Sequence, residues 1–117
     1  MQSNDSDDLF KHVEVFEAAE LIKQNSPNLR IVDVREPHEF EICRIDRAIN
    51  CPLSDFLSAL EKKQISSSQE LLLYCHHGVR SAKAAAYLST EGFSTVYTMD
   101  GGIDAWSNQI DSSIAKY

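Results

Sequence analysis

The chain has 117 residues, 18 acidic against 11 basic side chains, a net charge of -7 and 43% hydrophobic content. That length suits one α/β-sized domain with a core of its own. The acidic balance argues against nucleic acid or an anionic membrane surface as the main partner, since both reward Lys/Arg patches, and no apolar run approaches the ~20 residues that cross a bilayer.

Residues 1–10 begin Met-Gln-Ser-Asn-Asp-Ser-Asp-Asp and read as a mobile acidic tail. They are the opposite of the basic start and apolar middle of a signal peptide. Residues 11–117 read as the folded domain. His12 to Val15 is a short strand, followed by a helix over 16–24 with Ala18, Leu21 and Ile22 as its buried stripe and Asn25-Ser26-Pro27 as its stop. Leu29 to Val34 is a β-branched-rich strand. A helical piece over His38 to Ile42 leads to a small strand, Ala48 to Cys51. Ser54 is placed to cap a helix carrying Phe56, Leu57 and Leu60. Glu70 to Tyr74, with three consecutive leucines, reads as a central strand covered on both faces. A helix over 81–91 closes at Gly92, Ser94 to Met99 is the last strand, and Asp100-Gly101-Gly102 turns into a final helix containing Trp106.

Strand alternating with helix means an α/β domain with a mostly parallel sheet, which places ligands at the carboxyl ends of its strands. Asp33-Val34-Arg35, Cys75 to Arg80 and Asp100-Gly101-Gly102 all fall there. Cys75 stands just before a helix N-terminus, where unpaired N–H groups and the positive end of the helix dipole favour an anion. A free thiol with a pKa of about 8.5 is mostly protonated at neutral pH, and this placement favours the thiolate. Gly78 lets the backbone curl so that several N–H groups turn inward, and Arg80 adds a cation. Cys75 is therefore the expected nucleophile, with His76, His77, Gly78, Val79, Arg80 and Arg35 as substrate contacts and Asp33 and Ser81 as loop support; a structural ion pair between Asp33 and Arg35 is the other reading of those two.

Loop size separates possible chemistries. Cysteine phosphatases hold a phosphoryl group within Cys-x5-Arg, whereas four residues lie between Cys75 and Arg80. The tighter ring suits one extra sulfur carried as a persulfide. The segments Asp33-Val34-Arg35-Glu36-Pro37 with Glu39-Phe40, Ala48-Ile49-Asn50 with Pro52-Leu53, Tyr74 to Ser81, and Gly101-Gly102 with Trp106 together resemble the single-domain rhodanese family. The resemblance spans Val13 to Trp106. It implies a rhodanese-like fold: a five-stranded parallel sheet in the order 1-5-4-2-3 with helices on both faces. It also implies a thiosulfate sulfurtransferase, in which Cys75 takes a sulfane sulfur from a small donor such as thiosulfate and passes it to cyanide, a thiol or a protein acceptor. A Cys-dependent phosphatase or arsenate reductase, and a binding module without turnover, are the alternatives.

No cofactor and no metal are expected. Three cysteines, Cys43, Cys51 and Cys75, make an odd count without CxxC spacing, so neither a disulfide framework nor a zinc knuckle is indicated, and a reducing cytoplasm is the natural setting. Adjacent His76 and His77 point apart in a curled loop and make poor joint ligands. In the implied strand order Cys51 lies two strands from Cys75, roughly 9–10 Å away, too far for a disulfide. The family usually carries Gly-His-Ile-Pro-Gly-Ala where this chain has Cys43-Arg44-Ile45-Asp46-Arg47-Ala48, so a different and strained turn is expected there.

Overall fold

The computed structural model describes residues 10–117, so the expected tail over 1–9 lies outside the described residues. Phe10, the last residue assigned to that tail, instead packs against the core. Among the described residues the elements run β1 (Lys11–Val13), α1 (Val15–Gln24), β2 (Leu29–Asp33), α2 (Pro37–Ile42), β3 (Ile49–Asn50), α3 (Phe56–Lys62), β4 (Glu70–Tyr74), α4 (Val79–Thr90), β5 (Val96–Met99) and α5 (Gly102–Gln109). The strands form one sheet in the order β1-β5-β4-β2-β3, parallel throughout. This is the expected rhodanese-like order.

The period-two alternation of strand side chains divides the apolar residues into two cores. From β4 onward, Leu71, Leu73 and Cys75 join Phe56, Ala59, Leu60, Ala84, Ala85 and Leu88 on the face covered by α3 and α4. Leu72 and Tyr74 join Val15, Ala18, Ile103 and Trp106 on the face covered by α1 and α5. Leu71 to Tyr74 are all buried, which is why this strand is apolar at consecutive positions. The same alternation carries Cys75, one residue past the strand, to the face on which α4 begins.

Several boundaries differ from the sequence expectation. The first strand stops at Val13, because Glu14 caps α1 through reciprocal bonds with Glu17. Leu57, one of the apolar residues carried on α3, is 59% exposed. The inward stripe of α3 is Phe56, Ala59 and Leu60, at helical spacing, and Leu57 lies a step off it. Ser54 does not cap that helix. It sits in a 3-10 turn, Leu53–Asp55, and its Oγ donates to Glu36 Oε1 at 2.6 Å. The last strand starts at Val96, two residues later than expected.

The turn over Ile45 to Ala48, expected to depart from the usual one, closes with Ala48 N–H donating to Ile45 O at 3.1 Å. Arg47 takes up φ 72°, the left-handed region that favours glycine. Its guanidinium bonds Asn25 Oδ1 and Ile22 O. This turn leads into the amino end of β3, away from the carboxyl ends of the strands.

Candidate active site

Helix α4 begins at Val79, two residues earlier than expected, with Gly78 as its N-cap at φ 109°. Arg80 and Ser81 therefore belong to its first turn, where N–H groups have no partner within the helix. The Gly78 N–H donates to Cys75 Sγ at 3.1 Å and the Ser81 N–H at 3.3 Å. The thiol itself lies 3.7 Å from Ser81 Oγ, which also pairs with Thr98 Oγ1 on β5 at 2.7 Å. Cys75 is 1% exposed, so its sulfur sits at the bottom of the loop rather than on its rim.

A second glycine holds the loop from outside. Gly102, at φ 62°, lies so close that a Cβ there would stand 2.5 Å from Cys75 O and 2.3 Å from His76 O. The N–H groups of Ile103 and Asp104, at the start of α5, donate to the same two carbonyls at 2.8 and 3.1 Å. The loop thus hangs between two helix starts: one faces the sulfur and the other faces the backbone behind it.

Arg80 reaches sideways to α2, where its guanidinium forms a two-point fork on Glu39, NH1 to Oε1 at 2.7 Å and NH2 to Oε2 at 2.9 Å. The Arg80 bonds, together with the N–H of Glu36 and the Tyr117 hydroxyl, hold the Glu39 carboxyl down at about 2 against burial. The bond from Glu39 in turn raises Arg80 above its ordinary range. Sequence reasoning gave Glu39 no role, although it lies in a matching segment. The signal was local only: Glu36 and Glu39 form the capping box of α2, which fixes where the Glu39 carboxylate points.

Arg35, expected as a substrate contact, does not reach the loop surface. Its side chain is 0% exposed and its nitrogens are taken up by Asp33 at 2.6 to 3.1 Å, Cys43 O at 2.6 Å and Tyr117 Oη at 2.7 Å. Burial alone would lower its pKa, but the bonds to Asp33 and Tyr117 outweigh that and keep it raised. The Asp33–Arg35 pair braces the ends of β2 and α2. Val79, another expected contact, turns its side chain outward at 66% exposure, and only its backbone lies at the start of α4.

His76 is half-buried and His77 exposed. Their rings stack at 4.0 Å, and Tyr117 lies flat on His76 at 3.9 Å with 6° between the planes. Burial, and then His77, push the His76 pKa down. Ligand atoms of His76, His77 and Asp104 come within 4.8 Å of one another, and Lys116 Nζ already holds Asp104 at 2.8 Å. Tyr117, which sequence reasoning passed over, completes the rim by donating to Glu39 Oε2 at 2.8 Å while accepting from Arg35. No local pattern marks it, because its partners lie 78 and 82 residues away in the chain. Cys43, Cys51 and Cys75 are all free thiols. Burial raises the Cys51 pKa to about 11, which makes it an inert core residue.

The parallel α/β sheet thus places a buried thiol under a helix start, with Arg80 in the first turn of that helix. A family model for the Rhodanese-like domain matches residues 16–109, and the chain belongs to that family. It is 33% identical over 99 residues to a thiosulfate sulfurtransferase GlpE of Vibrio cholerae, covering 85% of this chain and 90% of that one. The GlpE of Shewanella oneidensis is 35% identical over 100 residues, 83% and 92% of the two chains. A rhodanese-related protein of Thermoplasma volcanium superimposes with a TM-score of 0.73 at 29% identity, over 86% of this chain and 93% of that structure. The two GlpE relatives, at 33% and 35% identity, carry the name thiosulfate sulfurtransferase.

Proposed function

We propose that this protein is a sulfurtransferase that carries sulfane sulfur as a persulfide on Cys75. The observation that carries the reading is the pair of backbone N–H groups, Gly78 and Ser81, pointed at Cys75 Sγ. A persulfide moves the negative charge one atom outward. The N–H groups of Val79 and Arg80, the first helical positions of α4, have no partner within the helix and are the further donors we assign to that charge.

The cycle balances in two displacements. The Cys75 thiolate attacks the outer sulfur of a donor such as thiosulfate, the S–S bond breaks, and its electron pair leaves with sulfite. An acceptor nucleophile, cyanide or a thiol, then attacks the outer sulfur of the persulfide, and the electron pair of that S–S bond returns to Cys75. The four-residue spacing from Cys75 to Arg80, the paired N–H donors and the thiosulfate sulfurtransferase names of the relatives support this reading. His76 and His77 line the rim as acceptor contacts. A reducing, cytoplasmic setting suits a chain with three free thiols, and among the described residues no helix is long and apolar enough to cross a membrane.

The test is intact mass after incubation with thiosulfate. A gain of one sulfur that is reversed by cyanide and absent in Cys75→Ser is expected. No gain, or an equal gain in Cys75→Ser, overturns the proposal.

A further inference from the structure

Exposed apolar side chains that stand singly, such as Phe16 on α1 and Ile42 on α2, are ordinary on a folded chain. Leu57 on α3 and Tyr87 on α4 are different, because both are exposed and line one groove, together with Leu60 and Phe93. Glu61 and Glu91 bring two carboxylates to the same groove. None of these residues belongs to the segments that carry the resemblance to the rhodanese family. Along α4 and its C-cap, the exposed residues Lys83, Tyr87 and Glu91 stand four apart and so form one row on the helix surface. Among the described residues, Lys83, Glu61 and Glu91 take no part in any salt bridge. The row therefore runs from an unmatched cation through an aromatic ring to an unmatched carboxylate. Turned end for end, it is its own complement.

We infer that the α3–α4 groove and this row of α4 are a self-association surface, occupied by the same face of a second copy of the chain. The two α4 helices run antiparallel about a two-fold axis at Tyr87. Such an isologous contact uses one patch twice. Lys83 of each copy meets the Glu61–Glu91 edge of the other, which gives two symmetric ion pairs. Leu57 and Tyr87 of both copies leave water together, and they supply the favourable energy. The ion pairs fix the register more than the strength. A parallel placement sets Lys83 against Lys83 and Glu91 against Glu91, which is unfavourable. Two copies of net charge -7 repel at long range, so only a face with this local pairing brings them together. A patch of this size belongs to the weak class of interfaces, with Kd of about 10–100 µM. Because the helices are antiparallel, the two Cys75 loops at their amino ends lie at opposite ends of the pair.

The experiment is sedimentation equilibrium at low ionic strength, up to about 500 µM chain, well above that Kd. It compares wild type, Lys83→Glu, Glu91→Lys, the double exchange and Tyr87→Ser, with thermal melting to show that each is folded. Wild type is expected to dimerise. Each charge exchange alone is expected to weaken the dimer at least about threefold, by setting like charges opposite each other. The double exchange is expected to bind more tightly than either single one, because it restores opposite charges across the axis. Tyr87→Ser, which keeps both charges, is expected to weaken the dimer about tenfold or more. A wild-type chain that stays monomeric overturns the inference and leaves the groove to a different protein. A dimer that the single exchanges do not weaken, or a double exchange no tighter than they are, overturns it as well. Should a charge variant not fold, an unchanged Kd in Tyr87→Ser overturns it alone.

Discussion

Gly102 lies with its Cα face against the carbonyl of Cys75, so close that a Cβ would stand 2.5 Å from that oxygen. The two residues are the fixed points of the loop, because the bonds from Ile103 N–H to Cys75 O and from Asp104 N–H to His76 O depend on this approach. The obstacle is backbone, which cannot rotate aside as a long side chain can. Gly102→Ala is therefore expected to cost about 3 kcal/mol or more and to pull Cys75 out of line with the N–H groups of α4. Thermal melting and the rate of iodoacetamide alkylation at Cys75 measure the two effects. An unchanged melting temperature with unchanged alkylation would refute this account of the loop.

Removing one member of the Asp33–Arg35 pair leaves a charge with no water to replace its partner. Both side chains are 0% exposed. Asp33→Ala is expected to lose about 3–5 kcal/mol, the usual penalty for an orphaned buried charge. The double variant Asp33→Ala with Arg35→Met is expected to recover a large part of it. Urea denaturation of the single and double variants measures the difference, and a double variant no better than Asp33→Ala would show that the ion pair is not the source of the loss.

Glu39 gives a pH dependence whose sign follows from its depressed pKa. In the unfolded chain the carboxyl titrates near 4.5, and in the folded chain near 2. The folded state therefore binds fewer protons across that interval, and the contribution is complete above 4.5 and lost as pH falls towards 2. With Arg80 35% exposed, a discounted value of about 2 kcal/mol is expected at neutral pH. Glu39→Gln should lose that much at neutral pH, and the gap to wild type should close towards pH ~2. A gap of constant size, read from urea titrations along the series, would assign the loss to packing instead.

Arg47 occupies a left-handed conformation at φ 72°, which costs an L-residue about 1–2 kcal/mol. Glycine relieves that cost but adds freedom to the unfolded chain and gives up the exposed bond to Asn25. The balance favours Arg47→Gly by about 0.5 kcal/mol, a rise of a few degrees in Tm. A lower Tm would mean that the Asn25 contact outweighs the strain. Sulfur loading is expected to be unchanged, since this turn stands at the far end of the strands from Cys75.

The strands, most of the helices and the sheet order were legible in the sequence. Hydrophobic periodicity reports local conformation and marked the α/β class, while the strand order followed from the resemblance to the rhodanese family. The apolar run 71–74 marked the central strand because that strand is covered on both faces. Cys75, Gly78 and Ser81 were legible for the same reason: a thiol, a turn and a helix start that lie within seven consecutive residues cooperate through local geometry. The Asp33–Arg35 pair was among the readings two nearby residues allowed, but the partner of Arg80 was not legible, since an arginine's meaning depends on which carboxylate the fold delivers to it. Tertiary structure buried Arg35 on Asp33, locked Arg80 to Glu39 across 41 residues, and laid Tyr117 over both. The sequence by itself determined that a thiol would sit under a helix N-terminus, because backbone geometry follows from neighbours in the chain. Only the fold decided how much positive charge would stand beside it, because electrostatic pairing follows from neighbours in space.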